Sequence, residues 1–268
     1  MKLAFSTLGC PAWGISEIAD AARRFGYAAV ELRCLGGDLN LLARPELAPD
    51  RAAESGEALG VPICCVDASA AFHAIDDAER HRNVDDAVRF ARLASWLRAP
   101  MIRVFPNVVP GGATREETRG RIARSLRTLA SRAPLGVRIG LETHGDFAAA
   151  AEAVDVVRAA DHPALGIVWD VANTSAAGDS IEHAAAVVAP HLMLVHLRDA
   201  EPAPGERFWR PVLAGRGRVP FRVAVGALRA IRYDGYVSFE WEKYWRPELE
   251  EPEVALADFR NAFTSLQS

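Results

Sequence analysis

Eight times along the chain a short apolar run gives way to an amphipathic segment, and this alternation restricts the fold more than any other feature. The runs are "KLAFST" (2–7), "AAVELRC" (28–34), "PICCVDAS" (62–69), "MIRVFP" (101–106), "RIGLETH" (138–144), "LGIVWDV" (165–171), "LMLVHLRD" (192–199) and "YVSFEWE" (236–242). Each is brief, rich in Val, Ile, Leu and aromatics, and bounded by Gly or Pro, as parallel strands buried on both faces are. The segments between them carry helical period. In "SEIADAARRFGY", Ser16 is the expected N-cap and Gly26 the expected stop. A longer helix is expected to end before Pro100, and another opens with Thr114 and Glu117 at capping-box spacing. "SIEHAAAVVAP" and "VPFRVAVGALRAI" read as shorter helices.

Eight βα units in 268 residues predict a (β/α)8 TIM barrel, with residues 1–268 forming a single domain. An open doubly wound sheet is the alternative. It would carry a glycine fingerprint after the first strand, where this chain reads "STLGCPAW". Only residues 200–218, "AEPAPGERFWRPVLAGRGR", make a long irregular connection, and they are a candidate functional loop. Arg207, Arg210, Arg216 and Arg218 make that loop basic, which reads as a solvated surface before it reads as an anion site.

A formal net charge of −4 provides no general attraction to a phosphate backbone, so a nucleic-acid partner is not expected. The four cysteines, Cys10, Cys34, Cys64 and Cys65, contain no C-x-x-C pair, which suits a reducing compartment better than a disulfide framework or zinc finger. The opening "MKLAFSTLGCPAW" breaks too soon into Ser, Thr, Gly and Pro for a signal peptide, and no apolar run reaches membrane-spanning length. A cytoplasmic setting, away from membranes, is the expectation.

In a barrel of this kind the working residues stand at the carboxyl ends of the strands. Strand five ends with Glu142 and His144, strand six with Asp170, strand seven with His196 and Arg198, and the last strand with Glu240 and Glu242. Taken singly, a strand-end acid is as readily a helix cap or an ion-pair partner, and a histidine a satisfied core group. Glu142, Asp170, His196 and Glu240 at one level of four consecutive strands instead converge on a point. Three carboxylates and an imidazole, with no thiolate, suit one divalent ion such as Mn²⁺, Mg²⁺, Co²⁺ or Zn²⁺. Four protein ligands on an octahedral ion would leave two positions for substrate oxygens.

"LETH", "WDVANT", "VHLRDA" and "FEWEKYW", in this order and spacing, resemble the xylose isomerase-like barrel superfamily. The opening "AFSTLGCP…SEIADAARRFGYAAVELR" resembles the first βαβ unit of its sugar phosphate isomerase/epimerase members, and the likeness runs nearly end to end. The resemblance implies a metal held by Glu142, Asp170, His196 and Glu240, with Glu142 and Glu240 also serving as the acid/base pair. It implies a carbohydrate-like small-molecule substrate that reacts through an enediolate, giving isomerisation or epimerisation. Loss of a β-hydroxyl would instead make the protein a dehydratase of an inosose or a dehydroshikimate-type ring. Members also pair or form tetramers, so a homo-oligomer falls within the expectation.

Arg33 after strand two, His73 after strand three, Asn107 after strand four, His144, Asn173 and Arg198 are the candidate substrate-binding residues. Trp13, Phe72 and Trp169 are the candidate pocket aromatics, and Glu242 is expected to be an ion-pair or rim residue. The superfamily also contains an abasic-site endonuclease with three metals, which needs a histidine three residues after the strand-six Asp. Asn173 stands there, and seven histidines in the whole chain are few for such a cluster. A non-catalytic sugar-binding barrel is the remaining alternative, and the full ligand set speaks against it.

Overall fold

The computed structural model describes residues 1–206 and 208–266; Arg207 of the basic loop lies outside the described residues. The strands are β1 (Lys2–Ser6), β2 (Ala29–Leu32), β3 (Ile63–Ala71), β4 (Met101–Phe105), β5 (Arg138–Glu142), β6 (Leu165–Asp170), β7 (Leu192–His196), β8 (Asp199–Glu201), β9 (Arg210–Val212) and β10 (Tyr236–Phe239). All but β8 and β9 close into a barrel in the order β1-β10-β7-β6-β5-β4-β3-β2. Every neighbouring pair in that ring is parallel. The (β/α)8 expectation is met. Outside the ring lie α1 (Ile15–Phe25), α2 (Ala52–Ala58), α3 (Asp77–Trp96), α4 (Arg115–Arg132), α5 (Ala150–Ala160), α6 (Val171–Ala176), α7 (Ile181–Val188), α8 (Phe221–Ala230) and α9 (Pro252–Thr264).

Local chemistry sets the helix ends. Thr114 accepts from the Glu117 N–H at 3.1 Å while Glu117 accepts from the Thr114 N–H at 2.8 Å, which starts α4 as its spacing predicts. Gly26 stops α1 with φ of 70°. The start of α1 differs from expectation: Gly14, not Ser16, is its N-cap, because Glu17 reaches back to the Gly14 N–H at 3.2 Å and fixes the frame two residues earlier. Residues 200–218 also differ. They are not irregular throughout, since β8 and β9 pair antiparallel inside them.

The strand period of two sorts the barrel into layers. Alternate residues pack outward against the helices, among them Phe5, Val30, Leu32, Ile102, Leu141, Ile167, Trp169, Val195, Val237 and Phe239. Those of opposite parity fill the interior. Ala4, Ala29, Cys65, Met101, Val168 and Leu194 form a separate apolar plug. Gly140 leaves room for it, since a Cβ there would stand 2.6 Å from both Met101 and Val168. Two residues further along the same strands come Ser6, Glu31, Asp67, Arg103, Asp170 and His196, all buried. A polar layer therefore rests on an apolar one, at the carboxyl ends of the strands. No helix among the described residues is long and apolar enough to cross a membrane.

Candidate metal centre

Glu142 and Asp170 are the last residues of β5 and β6, His196 is the last of β7, and Glu240 directly follows β10. One ligand atom from each of the four lies within 4.8 Å of all the others, and all four residues are buried. Asp170 has both oxygens engaged: Oδ1 accepts from the Asn173 N–H at 2.7 Å, and Oδ2 from Arg198 at 2.5 Å. The same Arg198 amine donates to Glu240 Oε2 at 2.9 Å, so one guanidinium gathers two of the three carboxylates.

Two atoms of the cluster lack such partners. Glu142 Oε2 and His196 Nδ1 are buried 3.9 Å apart and make no well-aligned hydrogen bond; Arg103 Nε lies 3.1 Å from the first and Glu240 Oε2 3.4 Å from the second. The other imidazole nitrogen is fixed, since His196 Nε2 lies 2.8 Å from Glu31 Oε1, and the second Glu31 oxygen accepts from Ser238 at 2.6 Å. With Nε2–H donating to Glu31, Nδ1 is the nitrogen that faces the cluster and would offer its lone pair once its proton is displaced. The charges agree. Glu31, Asp67, Glu142, Asp170 and Glu240, once all are ionised, outnumber the guanidiniums of Arg33, Arg103 and Arg198 by two negative charges, a surplus that a divalent cation would offset as it displaces the protons of the cluster. The residues fit a divalent cation in ligand type, in convergence and in charge.

The same groups displace the acid strengths of the two glutamates in opposite directions. Burial pushes the Glu142 carboxyl up to about 8; Arg103, with Nε 3.1 Å from its oxygen, opposes this, and Glu240 reinforces it. Burial acts upward on Glu240 too, but the His196 imidazole and the Arg198 and Arg103 guanidiniums outweigh it and hold that carboxyl well below the usual range. His196 is pulled down by burial and raised further by Glu31 and Glu240, so its pKa lies well above the ordinary imidazole value.

Asp170 and His196 are fully buried, while Glu142 and Glu240 line a cavity of about 590 Å³. Of the predicted substrate-binding residues, Arg33, His144, Asn173 and Arg198 line it. Asn173 also donates through Nδ2 to the Thr143 carbonyl at 3.1 Å. His144 stacks between Phe105 and Phe208, with ring centroids 4.7 and 4.8 Å away. His73 and Asn107 are not among the lining residues. His73 follows a strand that ends two residues later than expected, and Asn107 packs against the next loop, where its carbonyl accepts from the Asp146 N–H at 2.8 Å. A Cβ on Gly145 would stand 2.1 Å from that carbonyl. The expected pocket aromatics are displaced as well. Phe72 and Trp169 are fully buried and Trp13 is half-buried, whereas Phe105, Phe208 and Trp245 line the cavity. Glu242 is an ion-pair residue, 3.0 Å from Arg198 and 3.5 Å from Arg246.

Sequence reasoning passed over Glu31, Asp67 and Arg103. Arg103 bridges Asp67 at 2.9 Å and Glu142, and its guanidinium lies 4.0 Å from the centroid of the Phe105 ring. Each of the three is a lone charge inside an apolar strand, the same signal that marks Asp170.

The family model of the xylose isomerase-like TIM barrel matches residues 19–262. The chain belongs to that family. Among solved structures, this barrel is similar to the IolI protein with a bound zinc atom, at 20% identity and a TM-score of 0.81, over 99% of this chain and 98% of that one. It is also similar to D-psicose 3-epimerase from Clostridium cellulolyticum H10 in complex with D-tagatose, at 19% identity and a TM-score of 0.76, covering 99% and 98%. A third is the probable 3-DHS dehydratase AsbF of Bacillus anthracis, at 17% identity and a TM-score of 0.75, covering 100% and 99%. At these identities the likeness is one of fold. No curated protein matches the chain by sequence.

Proposed function

We propose that this barrel is a divalent-metal-dependent isomerase or epimerase of a sugar or sugar-like hydroxy-ketone. The observation that carries the reading is the convergence of Glu142, Asp170, His196 and Glu240 on one buried point, with Glu142 and Glu240 also lining the cavity. The fold neighbours support it, since they include a zinc-bound barrel and an epimerase with a ketose bound. When bound, the ion would polarise a substrate carbonyl and stabilise the negative charge that develops as the neighbouring C–H is deprotonated.

The chain's own groups would divide the proton work. Glu240, its carboxyl held low by His196 and Arg198, is ionised at neutral pH and accepts the proton from carbon. Glu142, whose carboxyl burial pushes up to about 8 before an ion binds, is the more basic of the two and would be the group that passes a proton back to the substrate. A pair of carboxyls driven apart in this way has the property an acid/base pair needs. Arg198 orients Asp170 and Glu240 together, and Arg103 anchors Glu142 from the β4 side. Return of the proton to the adjacent carbon isomerises the substrate, and return to the opposite face epimerises it.

The test is solvent exchange. Protein loaded with Mn²⁺ is incubated in D₂O with ketoses, inososes and hydroxypyruvate, and deuterium is sought on the α-carbon. Glu142→Gln and Glu240→Gln are each expected to slow exchange by about 10²–10⁴-fold; full exchange in either would overturn the acid/base assignment. Loss of water from substrate in place of isomerisation would make the enzyme the dehydratase that shares its first step.

A further inference from the structure

Among the described residues four guanidiniums line the cavity, those of Arg33, Arg103, Arg198 and Arg246. Three are matched by carboxylates. Arg103 has Asp67 and Glu142; Arg198 has Asp170, Glu240 and Glu242; Arg246 has Glu206 and Glu242. Arg33 stands apart. Its Nη2 donates to the Ser69 hydroxyl at 3.0 Å, its Nη1 has no hydrogen-bond partner, and no carboxylate among the described residues pairs with it. Yet it is only 4% exposed. Burial and the nearby Arg103 lower its pKa to about 10, which leaves it a cation at neutral pH.

A buried guanidinium with no carboxylate in direct contact and an N–H group left without an acceptor is costly, and the cost is recovered when an acceptor completes it. Its place in the ring is also informative. Arg33 follows β2, diametrically across the closed barrel from β6, which carries Asp170. The two ends of a bound molecule would thus meet different chemistry. A hydroxy-ketone end would face the four convergent residues, and the far end would face a lone guanidinium fixed by Ser69. A single unpaired guanidinium matches one negative charge, and its planar fork matches a carboxylate.

We propose that the substrate is a keto or hydroxy acid, and that Arg33 binds its carboxylate. This rests on reading the cavity as the substrate site. It makes Arg33 the residue that selects an acid over the corresponding neutral sugar. Ser69 holds the guanidinium in position, through the hydrogen bond that leaves Nη1 for the ligand.

The experiment uses matched pairs that differ by the carboxylate: hydroxypyruvate with dihydroxyacetone, D-fructuronate with D-fructose, and D-glucuronate with D-glucose. Each is titrated calorimetrically into Mn²⁺-loaded protein and into EDTA-treated protein, with inorganic phosphate as a separate probe. At least one acid is expected to bind about tenfold or more tightly than its neutral partner in the loaded protein. Arg33→Gln is expected to reduce that ratio to near one, while Arg33→Lys retains part of it. The proposal is overturned if no acid is preferred in the wild type, or if Arg33→Gln leaves the preference unchanged. Phosphate binding more tightly than every acid, in a manner abolished by Arg33→Gln, would overturn the carboxylate assignment. Manganese content of the same samples separates the two failures. A wild type that takes up no Mn²⁺ refutes the metal reading, whereas normal uptake without acid preference refutes only the role of Arg33.

Discussion

At the residue scale the most consequential contact is between two side chains 165 positions apart, Glu31 and His196, 2.8 Å from each other inside the barrel. A carboxylate behind a ligating histidine fixes its tautomer and raises its basicity. Glu31→Ala is expected to weaken Mn²⁺ or Zn²⁺ binding by about 10–100-fold, with Glu31→Gln, which keeps an acceptor, falling between. Isothermal titration would read this directly, and an unchanged affinity in Glu31→Ala would remove Glu31 from the metal site. A second expectation concerns pH. The Glu142 carboxyl, pushed up to about 8 by burial, and the His196 imidazole, held well above its ordinary value by Glu31 and Glu240, both carry protons at pH 7 that a cation must displace. Affinity should therefore rise with pH up to about 8 and fall as the solution becomes acidic. Roughly one to two protons should be released per ion near pH 7, measurable by titration in buffers of different ionisation enthalpy.

At the scale of elements, the connection after β7 shows how one carboxylate organises a loop. Asp199 is buried and accepts from the N–H groups of Ala200, Gly217 and Val219, at 2.9 to 3.0 Å, tying the start of the segment to its end. Gly217 permits the approach, because a Cβ there would stand 2.3 Å from Asp199 Oδ1. Between those anchors the β8–β9 hairpin projects Glu206 and Phe208 to the cavity wall, and Glu206 pairs with Arg246. Asp199→Ala strands three backbone donors and is expected to destabilise the fold by about 2–4 kcal/mol in urea denaturation. A loss below about 0.5 kcal/mol would mean that water replaces the carboxylate. Of the loop arginines, Arg210 pairs with Glu201 at 2.5 Å, in keeping with a surface role.

At the scale of the molecule, the four candidate ligands come from four adjacent strands of the ring, β5, β6, β7 and β10, and span residues 142 to 240 of the chain. An ion held there ties strands that only the closed barrel brings together, so it binds the native state and not the unfolded chain. At an ion concentration 100-fold above Kd this linkage is worth about 2.7 kcal/mol, or roughly 5–10 °C in Tm for a chain of this size. Calorimetric scans with Mn²⁺ and with EDTA should differ by that amount in the wild type and coincide in His196→Ala. A shift that survives in His196→Ala would place the ion elsewhere.

Much of this was legible in the sequence, and the physical reason divides what was from what was not. Alternation of apolar runs with helical segments is a local property. So are the capping box of Thr114 and Glu117, the stop at Gly26, and the parity that turns Asp170 inward when Trp169 turns outward. These local signals determined the barrel and placed Glu142, Asp170, His196 and Glu240 at one end of it. The same signal was present at Glu31, Asp67 and Arg103, each a charge in an apolar strand, but their meaning depends on partners from other strands. Tertiary structure alone decided that Arg103 pairs with Asp67 and Glu142 while Arg33 has no ion-pair partner among the described residues. It also decided that Asn107 belongs to a loop contact and that Phe208 reaches the cavity from a hairpin. Period and propensity act over a few residues, whereas the pairing of buried charges is settled by closure of the ring, which brings β2 and β3 within reach of residues more than a hundred positions away.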